Sequence, residues 1–447
     1  MTKVALIFPG KDKRYAIQEP LNIGFLASYL EKHGVDVIII DQLAGQDVKK
    51  EIEDFGPDIV GITGVTPVIL DAYEIADMCR EMGILTVMGG VHVTALPEEA
   101  LQHCHIAVID EGEIALLEIV KEFEKGNVKK LYGKMSRPFI RDIDEVPAPA
   151  RHLMKMDFYL YTKDRFPESW LHFVPPKTKI AEIITSRGCP HQCIFCRNSW
   201  RMTPVRFNSA ERVVLEIEDL IENYGVRHLF FIDDNLFTNK DRLRKICKLI
   251  KDRNIDIEWG ANSRVDTIDD ETLQLAKEAG CRQVTFGFES GSQRILDVLN
   301  KRTTVEQSKK AIKMCKEKNL IVNGTFIIGN PTETIEDIKV TQKFIAESDI
   351  DYPGVGILTA YPGTKLWKLC EERNLIPEEL NWENFIADRV AIPCNTIIPK
   401  KKIEQLLQET NNMIVKKRAF KSPVKTFKEV IKYPSRVTRF IKQNIKR

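Results

Sequence analysis

The chain has 447 residues, 43% hydrophobic and 29% charged, and its 66 Lys and Arg against 64 Asp and Glu leave a formal net charge of +2. That length allows two or three domains with ample buried core, and the near-neutral balance lacks the electrostatic footprint of a nucleic-acid binder. The N-terminus places only Lys3 before five apolar residues and Pro9-Gly10, too short for a secretory signal, and no apolar run reaches the ~18 residues of a membrane span, so a cytoplasmic protein is expected.

Residues 1–132 alternate β-rich runs (Val4–Phe8, Val35–Asp41, Ile59–Thr63, Leu85–Met88, Ile106–Ile109) with helical patterns (Ile23–Lys32, Gln46–Phe55, Ala72–Met82, Ile114–Phe123). Near-continuous apolar strands separated by helices predict a doubly wound parallel sheet, whose ligands sit at the carboxyl ends of the strands. The loops at that edge contain Gly10, Thr63-Gly64-Val65-Thr66-Pro67, Gly89-Gly90-Val91-His92 and Glu111-Gly112-Glu113. Such glycine-bearing loops let a flat cofactor approach the backbone closely. Neither G-x-G-x-x-G after the first strand nor G-x-x-x-x-G-K-[ST] occurs, so no NAD or ATP site is expected.

From residue 133 to 176 periodicity fails and prolines gather, which predicts a linker packed across two domains. Residues 177–375 return to strand and helix alternation, with strands near Ile180–Thr185, His228–Ile232, Asp256–Ala261, Gln283–Phe288, Ile321–Ile328 and Gly354–Thr359; Ser209 is the expected N-cap of a helix over Ala210–Tyr224. Successive βα units of this kind predict a partial barrel with its reactive groups at the carboxyl ends of the strands. Residues 376–447 form a C-terminal region. Its last part, Lys416–Arg447, carries twelve Lys or Arg against the single acid Glu429, with apolar residues at helical spacing. Such a segment can bind an anionic membrane surface, or dock on the protein with a solvated basic face.

Of the ten cysteines only Cys189, Cys193 and Cys196 cluster; the other seven read as buried small hydrophobes in a reducing compartment. The three follow the first strand of the second domain in Arg187-Gly188-Cys189-Pro-His-Gln-Cys193-Ile-Phe-Cys196. Thiolates so placed favour an iron–sulfur cluster or zinc. Structural zinc calls for four ligands, usually in pairs, and no second C-x-x-C exists. Three cysteines on a [4Fe-4S] cube leave one iron open to a substrate or cofactor.

The C-x-x-x-C-x-x-C spacing with Phe195 before the last cysteine resembles the radical S-adenosylmethionine (SAM) superfamily. Further elements follow at the strand ends in order: Phe230–Phe237 with Asp233 and Asp234, Gly287-Phe-Glu289-Ser290-Gly291, Gly324–Pro331 with Gly329, and Ala360-Tyr-Pro-Gly-Thr364. The resemblance implies reductive cleavage of SAM to a 5′-deoxyadenosyl radical by a [4Fe-4S] cluster held by Cys189, Cys193 and Cys196. It also implies that Phe195 packs on the adenine, Glu289 accepts from the ribose, Ser290 and Gly329 belong to the SAM site, and Asp233 and Asp234 lie near the methionine end. Helix capping remains open for the two aspartates, and a salt bridge with Arg264 for Glu289; Arg264 itself could face the SAM carboxylate.

A flavodoxin-like, Rossmann-type N-terminal domain ahead of such a core, with Gly89–Glu98 and Asp110–Glu113, is similar to the cobalamin-binding radical SAM family of methyltransferases and anaerobic cyclases. The resemblance spans about residues 1–375. It implies a cobalamin-dependent methyltransferase acting on an unactivated carbon; a non-methylating oxidoreductase, cyclase or mutase is the alternative, and a binding protein without turnover a third. Thr63, Gly64, Thr66, Gly89, Gly90, His92 and Gly112 are the expected cobalamin contacts. The D-x-H-x-x-G signature is absent, so no imidazole from it is expected on cobalt, and a scaffold that has lost cobalamin stays open. The resemblance implies a small-molecule substrate and a low-potential donor, ferredoxin or flavodoxin; the basic amphipathic tail, which lies outside the resemblance, points to a lipid substrate and peripheral membrane contact.

Overall fold

A computed structural model describes residues 2–11, 18–161, 171–199 and 203–421. In the first part, strands β1 (Lys3–Phe8), β2 (Asp36–Asp41), β3 (Ile59–Thr63), β4 (Leu85–Gly89) and β5 (Ile106–Ile109) are joined by helices α1 (Leu21–Lys32), α2 (Val48–Phe55), α3 (Ile69–Glu81), α4 (Val91–Ala95) and α5 (Pro97–Ala100), and α6 (Glu113–Glu124) follows β5. The strands pair in the order β2-β1-β3-β4-β5, every pair parallel, and a sixth strand β6 (Gly133–Ser136) extends the edge beside β5. This is the expected doubly wound sheet, with its switch point between β1 and β3, where carboxyl-end loops diverge and leave a crevice. Residues Gly133–Ser136 lie in the stretch expected to be linker. With Met135 as the single buried side chain of Gly-Lys-Met-Ser, an edge strand of this length shows no alternating pattern.

After the short helix α7 (Met156–Tyr159) come β7 (Ile180–Ile183), a two-residue ribbon of β8 (Ser186–Arg187) and β9 (Arg206–Phe207), and the units α8 (Ala210–Tyr224), β10 (His228–Phe231), α9 (Lys240–Asp252), β11 (Glu258–Ser263), α10 (Asp270–Glu278), β12 (Cys281–Glu289), α11 (Gln293–Val298), α12 (Val305–Glu317), β13 (Ile321–Ile328), α13 (Ile335–Glu347) and β14 (Tyr352–Ile357). The second sheet runs β7-β10-β11-β12-β13-β14, parallel throughout and in chain order, the winding of a partial barrel. Local chemistry sets its boundaries. The Ser209 side chain accepts from the Arg212 N–H and caps α8, and Thr304 and Thr334 close capping boxes on α12 and α13.

The two sheets meet on a nearly dry charged network. Arg151 donates to Glu19 (3.2 Å) and Glu216 (2.7 Å) and to the Glu182 carbonyl (2.7 Å), while the Glu182 N–H donates to Glu19 (2.8 Å) and Glu19 N–H to the Glu182 carboxylate (3.0 Å). After α14 (Lys365–Glu372) the chain returns to the first sheet through Trp382 and then forms α15 (Lys400–Lys421). Ile403, Leu406 and Leu407 of α15 pack with Ile328, Ile338 and Ile357. Lys417 donates to the Ile345 and Ser348 carbonyls at the end of α13, both at 2.6 Å. The start of the basic tail is thus docked on the barrel; residues 422–447 lie outside the described residues. The seven unclustered cysteines are all buried. Among the described residues no helix is long and apolar enough to cross a membrane.

Candidate active site between the two sheets

The cysteine loop leaves β8 at Gly188, whose φ of 84° and whose position against the Thr203 and Pro204 carbonyls, 3.0 and 2.9 Å from where a Cβ would sit, admit no side chain. Three straps hold the loop. Asn300 donates to the Gln192 carbonyl (2.7 Å), the Ile194 N–H to the Leu299 carbonyl (3.0 Å), and the Leu366 N–H to the Ile194 carbonyl (2.9 Å). Cys193 is buried, and Cys189 and Cys196 are half-buried. Burial raises the Cys189 thiol and pushes Cys196 up to about 11, so a positive centre is needed to hold them as thiolates. Arg264 reaches toward Cys193, with Nη1 3.7 Å from its Sγ. Among the described residues no three Cys, His, Asp or Glu side chains converge on a point for a single ion. A cubane makes no such demand, because each thiolate binds its own corner iron, and the soft donor set fits it.

Around this loop the strand ends carry four of the expected SAM residues. Asp234, at the end of β10, faces open space and accepts from Asn198 (2.9 Å). Asp233 turns inward, accepting from the Thr185 N–H and hydroxyl and from Ser186, so it pins the end of β7 and does not cap a helix. Arg264 forms a double contact with Asp266 (3.0 Å each) and donates to the Lys301 carbonyl (2.8 Å). Glu289 pairs with Lys301 (2.7 Å, each 7% exposed), and not with Arg264. It is held at φ 64°, beside a register shift between Gly287 and Glu289; a non-glycine residue there stores strain that is common at ligand sites. Gly287 leaves room for this pair, since a Cβ would run into the Glu289 carboxylate. Cys193, Arg264, Lys301 and Glu289 therefore form one connected row.

The other expected SAM residues stand apart from that row. Ser290 hydrogen-bonds Thr341 (3.0 Å) and accepts from Ser292 N–H (3.1 Å), a turn-stabilising role. Gly329, at φ 82°, packs against Ile403 of α15 and donates its N–H to Glu333 (2.6 Å). Phe195 is half-buried on the hydrophobic cluster that joins the first sheet to Leu358 and Ala360.

A cavity of about 390 Å³ separates the cysteine loop from the first sheet. One wall is Thr63, Gly89, Gly90 and Gly112 with apolar Leu6, Val87 and Val108; the facing wall is Arg187, Gly188, Arg197, Asn198 and Asp234. A backbone-rich, apolar wall of this kind suits a large flat cofactor. Gly90 has φ 100°, and a Cβ there would lie 2.7 Å from the Gly64 carbonyl oxygen, so its glycine holds two loops together. Gly64 and Thr66 sit behind the wall: the Gly64 N–H donates to the Gly89 carbonyl (2.7 Å), and the Thr66 hydroxyl meets His92 Nδ1 (3.1 Å). His92 corrects the sequence reading, because it faces away from the cavity. It is 1% exposed, packs edge-on against Trp382 and lies 3.5 Å from Glu99. Burial alone would raise the Glu99 carboxyl, but His92, Tyr73 and Trp382 outweigh it and hold it below its usual range. Helix α4 starts directly at Val91 and turns the imidazole onto the helical side. Sequence reasoning missed Lys301, Asn198 and Arg197. Asn198 meets Asp234 across 36 positions, while Lys301 meets Glu289 through the turn after α11, and no local motif announces either contact.

Two family models match the chain: the radical SAM superfamily over residues 183–345 and the B12 binding domain over residues 11–120. An uncharacterized methyltransferase of Pyrococcus horikoshii is 36% identical over 419 residues, covering 89% of this chain and 86% of the relative. The anaerobic magnesium-protoporphyrin IX monomethyl ester cyclase of Rubrivivax gelatinosus is 28% identical over 378 residues, covering 78% of this chain and 66% of the cyclase. The solved structure of the cobalamin-dependent SAM radical enzyme OxsB with aqua-cobalamin and SAM bound has a TM-score of 0.72 at 18% identity, and shares the fold over 91% of this chain and 66% of its own. The chain thus spans just under two thirds of the length of the cyclase and of OxsB.

Proposed function

We propose that this chain, which belongs to the cobalamin-binding radical SAM family, is a cobalamin-dependent methyltransferase acting on an unactivated carbon of a small-molecule substrate. When bound, the [4Fe-4S] cluster supplies the electron that cleaves SAM, and cobalamin supplies the methyl group. The chain's own residues bind and orient. Cys189, Cys193 and Cys196 hold the cluster and leave one iron free of protein ligands. Asp234, Asn198 and the row Arg264–Lys301–Glu289 offer polar groups beside it, and the flat wall of Thr63, Gly89, Gly90 and Gly112 presents backbone to the corrin. Apolar Leu6, Val87 and Val108 line the same wall and help keep water out of the cavity, so that fixed groups of the site surround the reactants in place of mobile solvent. A low-potential ferredoxin or flavodoxin is the proposed electron donor.

The observation that carries this reading is a cavity lined on one side by glycine loops of the first sheet and on the other by residues flanking the cysteine loop. Anaerobic incubation of the cluster- and cobalamin-loaded protein with SAM and reduced flavodoxin tests it. The expected products are 5′-deoxyadenosine and S-adenosylhomocysteine; formation of neither, with full iron and cobalt content, contradicts it. The cyclase relative favours a second reading, hydrogen abstraction without methyl transfer. That reading predicts 5′-deoxyadenosine without S-adenosylhomocysteine, and a product lacking an added methylene unit.

A further inference from the structure

The ribbon just ahead of Cys189 joins the two walls of the cavity. Strands β8 and β9 are antiparallel with Arg187 opposite Arg206, so two guanidiniums stand side by side. Both close on the loop between β5 and α6 of the first sheet. Arg206 forks onto Glu111, with Nη1 and Nη2 donating to its two oxygens at 2.9 and 2.5 Å. Arg187 donates from Nη2 to Glu113 at 2.6 Å and holds Nη1 3.2 Å from Glu111. Two cations and two anions balance in a joint whose side chains are 5–20% exposed. Arg206 is braced further by the Ile140 carbonyl (2.7 Å) and by Phe139, whose ring centroid is 5.0 Å from the guanidinium carbon.

The chain positions give the joint its meaning. Two residues beyond Arg187 is Cys189, and between Glu111 and Glu113 is Gly112, part of the cavity wall. We infer that Arg187 and Arg206 are positioning residues that fix the spacing between the cysteine loop and the cobalamin-side backbone at Gly112. A planar fork on a carboxylate constrains distance and angle together, which an ammonium cannot do. Reacting groups on opposite walls need that constraint, because a misplacement of about 1 Å can cost about a hundredfold in rate. This inference rests on the cobalamin reading above.

The test uses the full chain, anaerobically reconstituted with iron, sulfide and hydroxocobalamin, as wild type, Arg206→Met and Arg206→Lys; Arg206 does not line the cavity. Iron and cobalt per chain are measured first. Pulsed EPR then reads the dipolar interaction between the reduced cluster and cobalt(II), and hydrogen exchange reads residues 109–113 and 186–189. Arg206→Met is expected to keep wild-type iron and cobalt but to broaden or shift the cluster–cobalt distance distribution. Exchange in both segments should be about tenfold faster, as for a locally loosened unit, with Arg206→Lys in between. An unchanged distance distribution and unchanged exchange in Arg206→Met overturn the inference. If that variant fails to load, Glu111→Gln reads the same joint from the first sheet, with the same expected and contradicting results. A wild-type protein that takes up the cluster but no cobalamin overturns the cobalamin reading and this inference together. An unaltered variant beside a loaded wild type overturns the inference alone.

Discussion

Cys193 is the buried member of the cysteine tripod and stands at one end of the row through Arg264 and Lys301 to Glu289. Cys193→Ala removes a volume of one sulfur from a loop strapped at Gln192 and Ile194 by bonds that do not involve the thiol. The expected outcome is a folded protein with its melting transition near that of the wild type, a cluster content far below it, and no detectable 5′-deoxyadenosine. SAM cleavage at the wild-type rate would contradict the ligand assignment. The three cysteines stood out because they fall within eight consecutive residues. Glu289 was legible as a strand-end acid, but its partner was not: Arg264 and Lys301 are both cations nearby in sequence terms, and only the turn after α11 decides that Lys301 arrives. His92 shows the limit more sharply. A strand-end loop can aim a side chain into the crevice or onto the helical face, and residue type alone does not choose between them.

At the scale of elements, apolar runs and turn residues sufficed to place most of the strands, because parallel strands covered on both faces leave a strong hydrophobic signal. Edge strand β6 lacked that signal. The loop after β4 depends on one atom-scale approach. Gly90 at φ 100° sits with its Cα hydrogen directed at Gly64, where a Cβ would come within 2.7 Å of the carbonyl oxygen and 2.9 Å of the nitrogen. Gly90→Ala must therefore separate the β3 and β4 loops or strain the backbone, at a cost of about 1–3 kcal/mol. Chemical denaturation should show that loss, and hydroxocobalamin titration should show affinity about tenfold weaker or worse. Unaltered stability and affinity would mean that the loop wall is more yielding than its geometry indicates.

For the whole molecule, the joint between the sheets is charged, and its proton balance makes stability depend on pH. Burial, and next the neighbouring Glu19 charge, raise the Glu182 carboxyl well above its ordinary value. The folded protein therefore keeps a proton that the unfolded chain releases near pH 4.3. The stabilisation is complete below that unfolded value and is lost as pH rises through the higher folded one. Glu182→Gln keeps an acceptor for the Glu19 N–H and cannot ionise, so its stability should fall less than the wild type's from about pH 5 to pH 8. The difference amounts to about 1.4 kcal/mol for each tenfold change in proton affinity. Parallel denaturation curves across that range would contradict this account of the joint. Neither Glu19 nor Glu182 stood out in the sequence, because residues 163 positions apart become partners only when the two sheets dock.

The same docking makes one cavity between the glycine loops of the first sheet and the residues flanking the cysteine loop, and the proposed chemistry depends on an iron that Cys189, Cys193 and Cys196 would leave without a protein ligand. The most direct measurement is the EPR spectrum of the reduced, anaerobically reconstituted chain with hydroxocobalamin bound, recorded before and after SAM is added. The prediction is a single four-iron cluster per chain whose signal changes on SAM addition, with one cobalamin retained alongside it. Zinc in place of iron, or a cluster signal indifferent to SAM, would contradict it.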